Sequence, residues 1–169
     1  MRSALFGAIA ALCVSISFPS RAEDEQNKLF LEITSDHGPV PIYHEGETMK
    51  LFIRSNNTIK LYCFYQAGDN SIVRLFPNIF HTDPTVNAEQ DIIIPENGMK
   101  FQIRFNHPLS IEAVLCLGSK GRGELPAMLN PDLRPLSIPD LETITQTIRQ
   151  LDPSVVTASL SVVVLPVGR

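Results

Sequence analysis

No stretch of this sequence is long and apolar enough to cross a bilayer. Its most apolar run, Ala4 to Val14, is about eleven residues, well short of the roughly 20 that a spanning helix needs. With 19% charged and 44% hydrophobic residues, the chain is neither a disordered acidic tail nor a membrane bundle. Internal repeats, low-complexity tracts and heptad series are missing too, which excludes solenoids and coiled coils. So are the common catalytic signatures. No serine sits in Gly-x-Ser-x-Gly, no pair of histidines forms His-x-x-x-His, and no Gly-Lys-Ser/Thr opens a helix. His37, His44, His81 and His107 are scattered through expected loops, and His81 with Asp83 is only a two-ligand fragment. No metal or cofactor is expected. Basic residues are also in the minority, 14 against 18 acidic ones, which argues against a nucleic-acid or anionic-lipid partner.

What is present begins with an address. Met1-Arg2 is a positive head, Ala4 to Val14 an apolar run, and Ser20-Arg21-Ala22 places small residues where a signal peptidase cuts. Leu12 before Cys13 does not fit a lipoprotein site, where a small residue is expected. The expectation is a signal peptide over 1–22, cleavage after Ala22 and release into the periplasm or beyond. The alternative is a buried N-terminal helix. Cleavage would remove Arg2, Arg21 and no acid, taking the formal charge from −4 to −6. It would also leave two cysteines, Cys63 and Cys116, a disulfide candidate in an oxidising compartment. Strand parity complicates that pairing. Cys63 shares a face with Ile59 and Leu61, and Cys116 one with Glu112 and Val114. If Glu112 faces water, the two sulfurs point to different sides, and two inert buried thiols are the alternative.

The segment 23–169 reads as a single β-rich domain. Lys28 to Thr34 and Thr48 to Arg54 alternate apolar and polar residues, the mark of antiparallel strands with one wet face. Ile59 to Asn78 is a hairpin around Gly68-Asp69-Asn70, ended by Pro77-Asn78. Pro77 to Gln90 reads as a long polar loop and Asp91 to Pro95 as a short strand. Met99 to Phe105 alternates most cleanly of all. Ile111 to Leu117 is apolar on both faces beyond Glu112, so it is expected at the centre of a sheet. Near the C-terminus (137–165), Ser137 is the expected cap of a helix that carries Leu141, Ile144, Ile148 and Leu151 on one face. Asp152-Pro153 stops it, and Val155 to Leu165 returns to strand. The fold class is therefore mainly β: an antiparallel β-sandwich, Ig-like in general architecture, with one C-terminal helix and a final strand.

Two features stand out as candidate binding elements. Ile79 and Phe80 follow the end of a strand, where alternation no longer turns them inward, and His81 sits beside them in the long loop; the alternative is that Phe80 folds back over the hairpin as a lid on the core. Lys120 and Arg122 lie in the basic, glycine-rich stretch Ser119 to Gly123, a candidate anion or partner contact.

Several elements together resemble the bacterial "domain of unknown function 4384" (DUF4384) family. They are Gly46-Glu47, then LYCFYQAGDNSIVRLFPN, IIIP at 92–95 and HPLSIEAVLCLGS at 107–119, spread over about residues 40–119. Leu75-Phe76-Pro77-Asn78 is the most specific of them. The family pattern places glycines where this chain has His107 and Ser110, so the turn there is expected to use ordinary backbone angles or to be rebuilt. The resemblance implies a β-rich accessory module with no known catalytic residues. Three readings stay open, one of them a purely structural envelope protein. Another is an exported, non-enzymatic binding or assembly module with protein partners in the cell envelope, such as an accessory of an envelope or secretion complex. The alternative is an envelope-polymer hydrolase or lyase whose Glu112, Asp83 and His81 converge only on folding.

Overall fold

The protein is represented by a computed structural model that describes residues 28–121, 125–129 and 133–168. The expected signal peptide at 1–22, and Arg122, lie outside the described residues. In chain order the strands are β1 (Leu31–Ser35), β2 (Ile42–His44), β3 (Thr48–Met49), β4 (Leu51–Ser55), β5 (Ile59–Gln66) and β6 (Ile72–Phe76). There follow β7 (Thr85–Val86), β8 (Ile92–Ile94), β9 (Ile103–Arg104) and β10 (Ser110–Ser119). The helix α1 (Leu141–Leu151) and β11 (Val156–Leu165) complete the chain. Among the described residues no helix is long and apolar enough to cross a membrane.

The large sheet runs β2-β11-β10-β5-β6, with β7 added beside β5. A smaller sheet, β1-β4-β8, packs on one of its faces, and β3 pairs with β9 at the side. All pairings are antiparallel except β2 with β11, which is parallel. Ile33, Leu51, Ile53 and Ile94 of the small sheet meet Leu61, Cys63, Val114, Cys116 and Val162 of the large one in the main core. The opposite face of the large sheet forms a second core. There Tyr62, Phe64, Leu115 and Leu117 pack against Ile144 and Ile148 of α1, together with Leu129 and Leu136. β5 and β10 are thus covered on both sides, which their continuous apolar runs require. Each fully buried aliphatic or phenylalanine side chain contributes about 1.5–3 kcal/mol.

The structure departs from the sequence reading in several places. The Thr48 to Arg54 run is two strands, because the chain changes partner at Lys50: β3 pairs with β9, β4 with β1 and β8. Within Met99 to Phe105 only Ile103 and Arg104 form a ladder, because their partner β3 is just two residues long. The loop from Pro77 to Gln90 contains β7, whose buried Val86 lies opposite Ile59. The helix cap is Asp140, whose Oδ1 accepts a hydrogen bond from the Thr143 N–H at 2.7 Å, and Ser137 lies outside the helix. A cap at Ser137 would put Ile138 in helical geometry directly before Pro139, which the proline ring disfavours. Leu151 is exposed at the end of α1 while Ile144 and Ile148 are buried, so the apolar face is shorter than the pattern implies.

The parity conflict dissolves because Glu112 does not face water. It is buried on the inner face, where it accepts hydrogen bonds from the Tyr65 hydroxyl and, at 3.2 Å, from the Gly68 N–H. Cys116 therefore points inward with it. It stands directly opposite Cys63 in the β5–β10 register, and the two form a disulfide with Cα atoms 4.1 Å apart.

Gly68 is glycine for lack of room, since a Cβ there would come within 2.6 Å of His107 Cβ and 2.7 Å of Ser110 Cβ. The positive φ of that hairpin falls on Asn70 instead. The 107–110 turn is rebuilt in the same spirit, with Leu109 taking the positive φ of 62°.

Two predictions follow from this packing. Gly68→Ala meets fixed Cβ atoms rather than flexible side-chain ends, and should cost about 1–3 kcal/mol in urea denaturation. Opening the Cys63–Cys116 bridge, which spans 53 residues, should cost roughly 4 kcal/mol in the chain-entropy account. Thiol labelling of unreduced, denatured protein lacking 1–22 should find neither sulfur reactive.

Candidate functional site

The feature that brings apolar side chains to the surface is the end of β6. Pairing with β5 slips between Cys63 and Phe64, so that Phe76 lies opposite Cys63 while Arg74 lies opposite Phe64. This β-bulge turns both Leu75 and Phe76 into the main core. A cis peptide links Phe76 to Pro77, and Asn78 then closes the chain on itself.

Asn78 is buried, and three of its side chain's four hydrogen-bonding positions are used. The amide donates to the Leu75 carbonyl at 2.6 Å, while Oδ1 accepts from the N–H groups of Phe80 and His81 at 2.8 and 3.2 Å. Its backbone pairs with His81 in both directions, at 2.9 and 3.1 Å. A tight loop held from inside has no space for the two residues at its tip. Ile79 is 62% exposed and Phe80 41%, the phenyl ring stacked on Phe101 with centroids 6.1 Å apart. Asparagine is the residue for this task because its short side chain both donates and accepts.

His81 ties the turn to a groove. Its ring lies 4.9 Å from that of Phe76, and Nδ1 is 3.1 Å from Glu96 Oε1. The groove, about 510 Å³, runs along the outer side of β8 and is lined by Lys50, Phe52, His81, Asp91, Ile93 and Glu96 among others. Apolar faces from Phe52 and Ile93 thus alternate with charges of both signs, and β8 is the edge of its sheet. Such a groove suits an extended peptide with apolar anchors better than a polyanion.

The other candidates lie elsewhere. Lys120 is exposed at the end of β10, next to Ser119, which donates to Asp152, so it belongs with the C-terminal end of α1 rather than with the turn. Glu112 has both oxygens engaged by Tyr65, Gly68 and Ser110. Burial, with Glu112 alongside, pushes the Tyr65 hydroxyl far above its ordinary range, so it remains a donor. Asp83 sits at the surface near Lys60, and hydrogen bonds from Thr85 hold its carboxyl below the usual range, with Lys60 and His81 adding to the effect. Glu112, Asp83 and His81 each have their own partners. Among the described residues no group of three or more His, Cys, Asp or Glu is placed to hold a metal ion.

The family described as Domain of unknown function (DUF4384) matches residues 42–122. This segment belongs to the DUF4384 family. No curated protein and no solved structure matches the chain. The DUF4384 segment runs from β2 to just beyond β10, and so contains the central β5–β10 pair, the bulge, the Asn78 turn and the groove. Sequence reasoning left Phe80 open between an exposed contact and a lid on the core, and missed Asn78, Phe101 and the groove-lining Phe52 and Ile93. The signal for Asn78 was its place immediately after a strand-ending proline.

Asn78→Ala should take the side-chain partner from the Phe80 N–H and the Leu75 carbonyl, while the His81 N–H keeps its bond to the Asn78 carbonyl. The expected cost is about 2–3 kcal/mol in urea denaturation at unchanged m-value.

Proposed function

We propose that this chain is an exported, non-catalytic binding or assembly module of the bacterial cell envelope, which holds a protein partner at the Ile79–Phe80 turn and the groove beside β8. The observation that carries this reading is the internal fixing of the turn by Asn78. A buried side chain makes three hydrogen bonds within the turn that holds an apolar pair at the surface, and pre-organised apolar anchors beside a polar rim are what a binding hot spot needs. Export is supported by the signal-peptide pattern of residues 1–22, and an oxidising destination by the Cys63–Cys116 bridge. The acidic balance of the chain favours a protein partner over a nucleic acid.

The test separates binding from stability. Phe80 is half out of the core, so Phe80→Ala should lose only its stacking on Phe101, about 1 kcal/mol, against the roughly 3–5 kcal/mol of a core phenylalanine. A photo-reactive residue at position 80 should form discrete protein adducts in intact cells, and one at Gln146 on the outer side of α1 should not. Equal labelling from both positions, or a collapse of stability in Phe80→Ala, would count against the reading.

A further inference from the structure

The outward face of the large sheet is only half covered. Helix α1 shields Leu115 and Leu117, but the other end of β10 and β11 has nothing over it among the described residues. There the register places Ile111 opposite Val163 and Val163 beside Ile42, so that one apolar row crosses β10, β11 and the edge strand β2. Ile111 is 73% exposed. Leu165 continues the face along β11, with Val40 just before β2 and Leu109 just before β10 adding two side chains that are 83% and 82% exposed. Their summed exposure, main chain included, is on the order of 700 Å², comparable with the roughly 800 Å² per partner of a standard interface.

Among the described residues, the Ile111–Val163–Ile42 row itself carries no charged side chain. Ser161 and Ala113, next along the same outward side, carry no charge, and Glu112 between Ile111 and Ala113 points into the core. His44, beside Leu165, is held by Glu47, and Glu142 and Arg149 mark the boundary at α1. For a chain with an acidic excess, two copies repel each other over most of their surfaces but not here. An uncharged apolar row is self-complementary, as a two-fold interface must be. We propose that this face joins two copies of the chain into a homodimer, with the Ile42–Val163–Ile111 rows of the two sheets packed against each other. The surface is separate from the Ile79–Phe80 turn.

Analytical ultracentrifugation at roughly 100 µM, well above a micromolar dissociation constant, tests it. The wild type should sediment as a dimer. Ile111→Glu should be monomeric with an unchanged circular dichroism spectrum, and its dissociation constant should rise at least about 100-fold, as expected for a charge brought into an apolar interface. Val40→Glu, which lies outside any strand, should do the same if Ile111→Glu fails to fold. Phe80→Ala should stay dimeric, so that failure of the turn as a binding site is distinguishable. A monomeric wild type would overturn the proposal, including the case in which it binds a different protein or lipid vesicles through this face. A dimer that persists in a folded Ile111→Glu or Val40→Glu variant would overturn it too.

Discussion

The pairing of β5 with β10 is the interaction on which the rest depends. These two strands bring residues 59–66 against 110–119, far apart in the chain, and everything else is laid on or beside them. Because both are apolar on their two faces, neither side can face water, and each must be covered by a different layer. The small sheet takes one side and α1 the other. The Cys63–Cys116 bridge sits within this pair, and the Tyr65–Glu112–Gly68 hydrogen bonds sit at its end. That arrangement accounts for the buried carboxylate of Glu112 in a largely apolar core. Glu112 holds the turn of the β5–β6 hairpin against β10, and its charge is answered by a hydroxyl and a backbone N–H.

The same pairing controls what reaches the surface. The bulge in β6 follows from its fit against β5, and it spends Leu75 and Phe76 on the inner core. Once both are inside, the chain must turn sharply, and Asn78 makes that turn from within. Ile79 and Phe80 are the residue of this geometry. Far from them, the outward rows of β10 and β11 exceed the length of α1, which leaves the apolar face at the other end of the sheet. One surface is thus produced by a turn and the other by a mismatch in length between a ten-residue strand and an eleven-residue helix. A strand rises about 3.3 Å per residue and a helix 1.5 Å, so the helix covers about half of the strand.

Period-two alternation was enough to find β1 and β4, β-rich runs bounded by turn residues were enough for β5, β6 and β11, and the double-faced apolar run placed β10 centrally. The reading failed where alternation and pairing part company. Met99 to Phe105 alternates more regularly than any strand in the chain, yet only Ile103 and Arg104 form a ladder, with Phe105 bonded to Gly46 and Glu47 beyond it, because alternation records which side chains are wet and not whether a neighbouring backbone is in reach. Short strands such as β2 and β7 were invisible for the opposite reason. Three or two residues carry no readable period, and they are strands only because β11 and β5 lie beside them.

The amino-acid sequence by itself determined the class of fold, the family pattern of the segment 42–122, the central position of β10 and the release of Ile79 and Phe80 from the alternation that would bury them. These are local properties, written in side-chain chemistry over a few residues. The tertiary structure decided which way Glu112 faces, and with it whether Cys116 could meet Cys63. It also decided that Phe101 lies under Phe80, that Phe52, Ile93 and His81 line one groove, and that Ile42, Val163 and Ile111 form one row. Each of these depends on strand register. A shift of one residue turns every side chain to the other face, and register is chosen by the whole core at once rather than by any single stretch of chain.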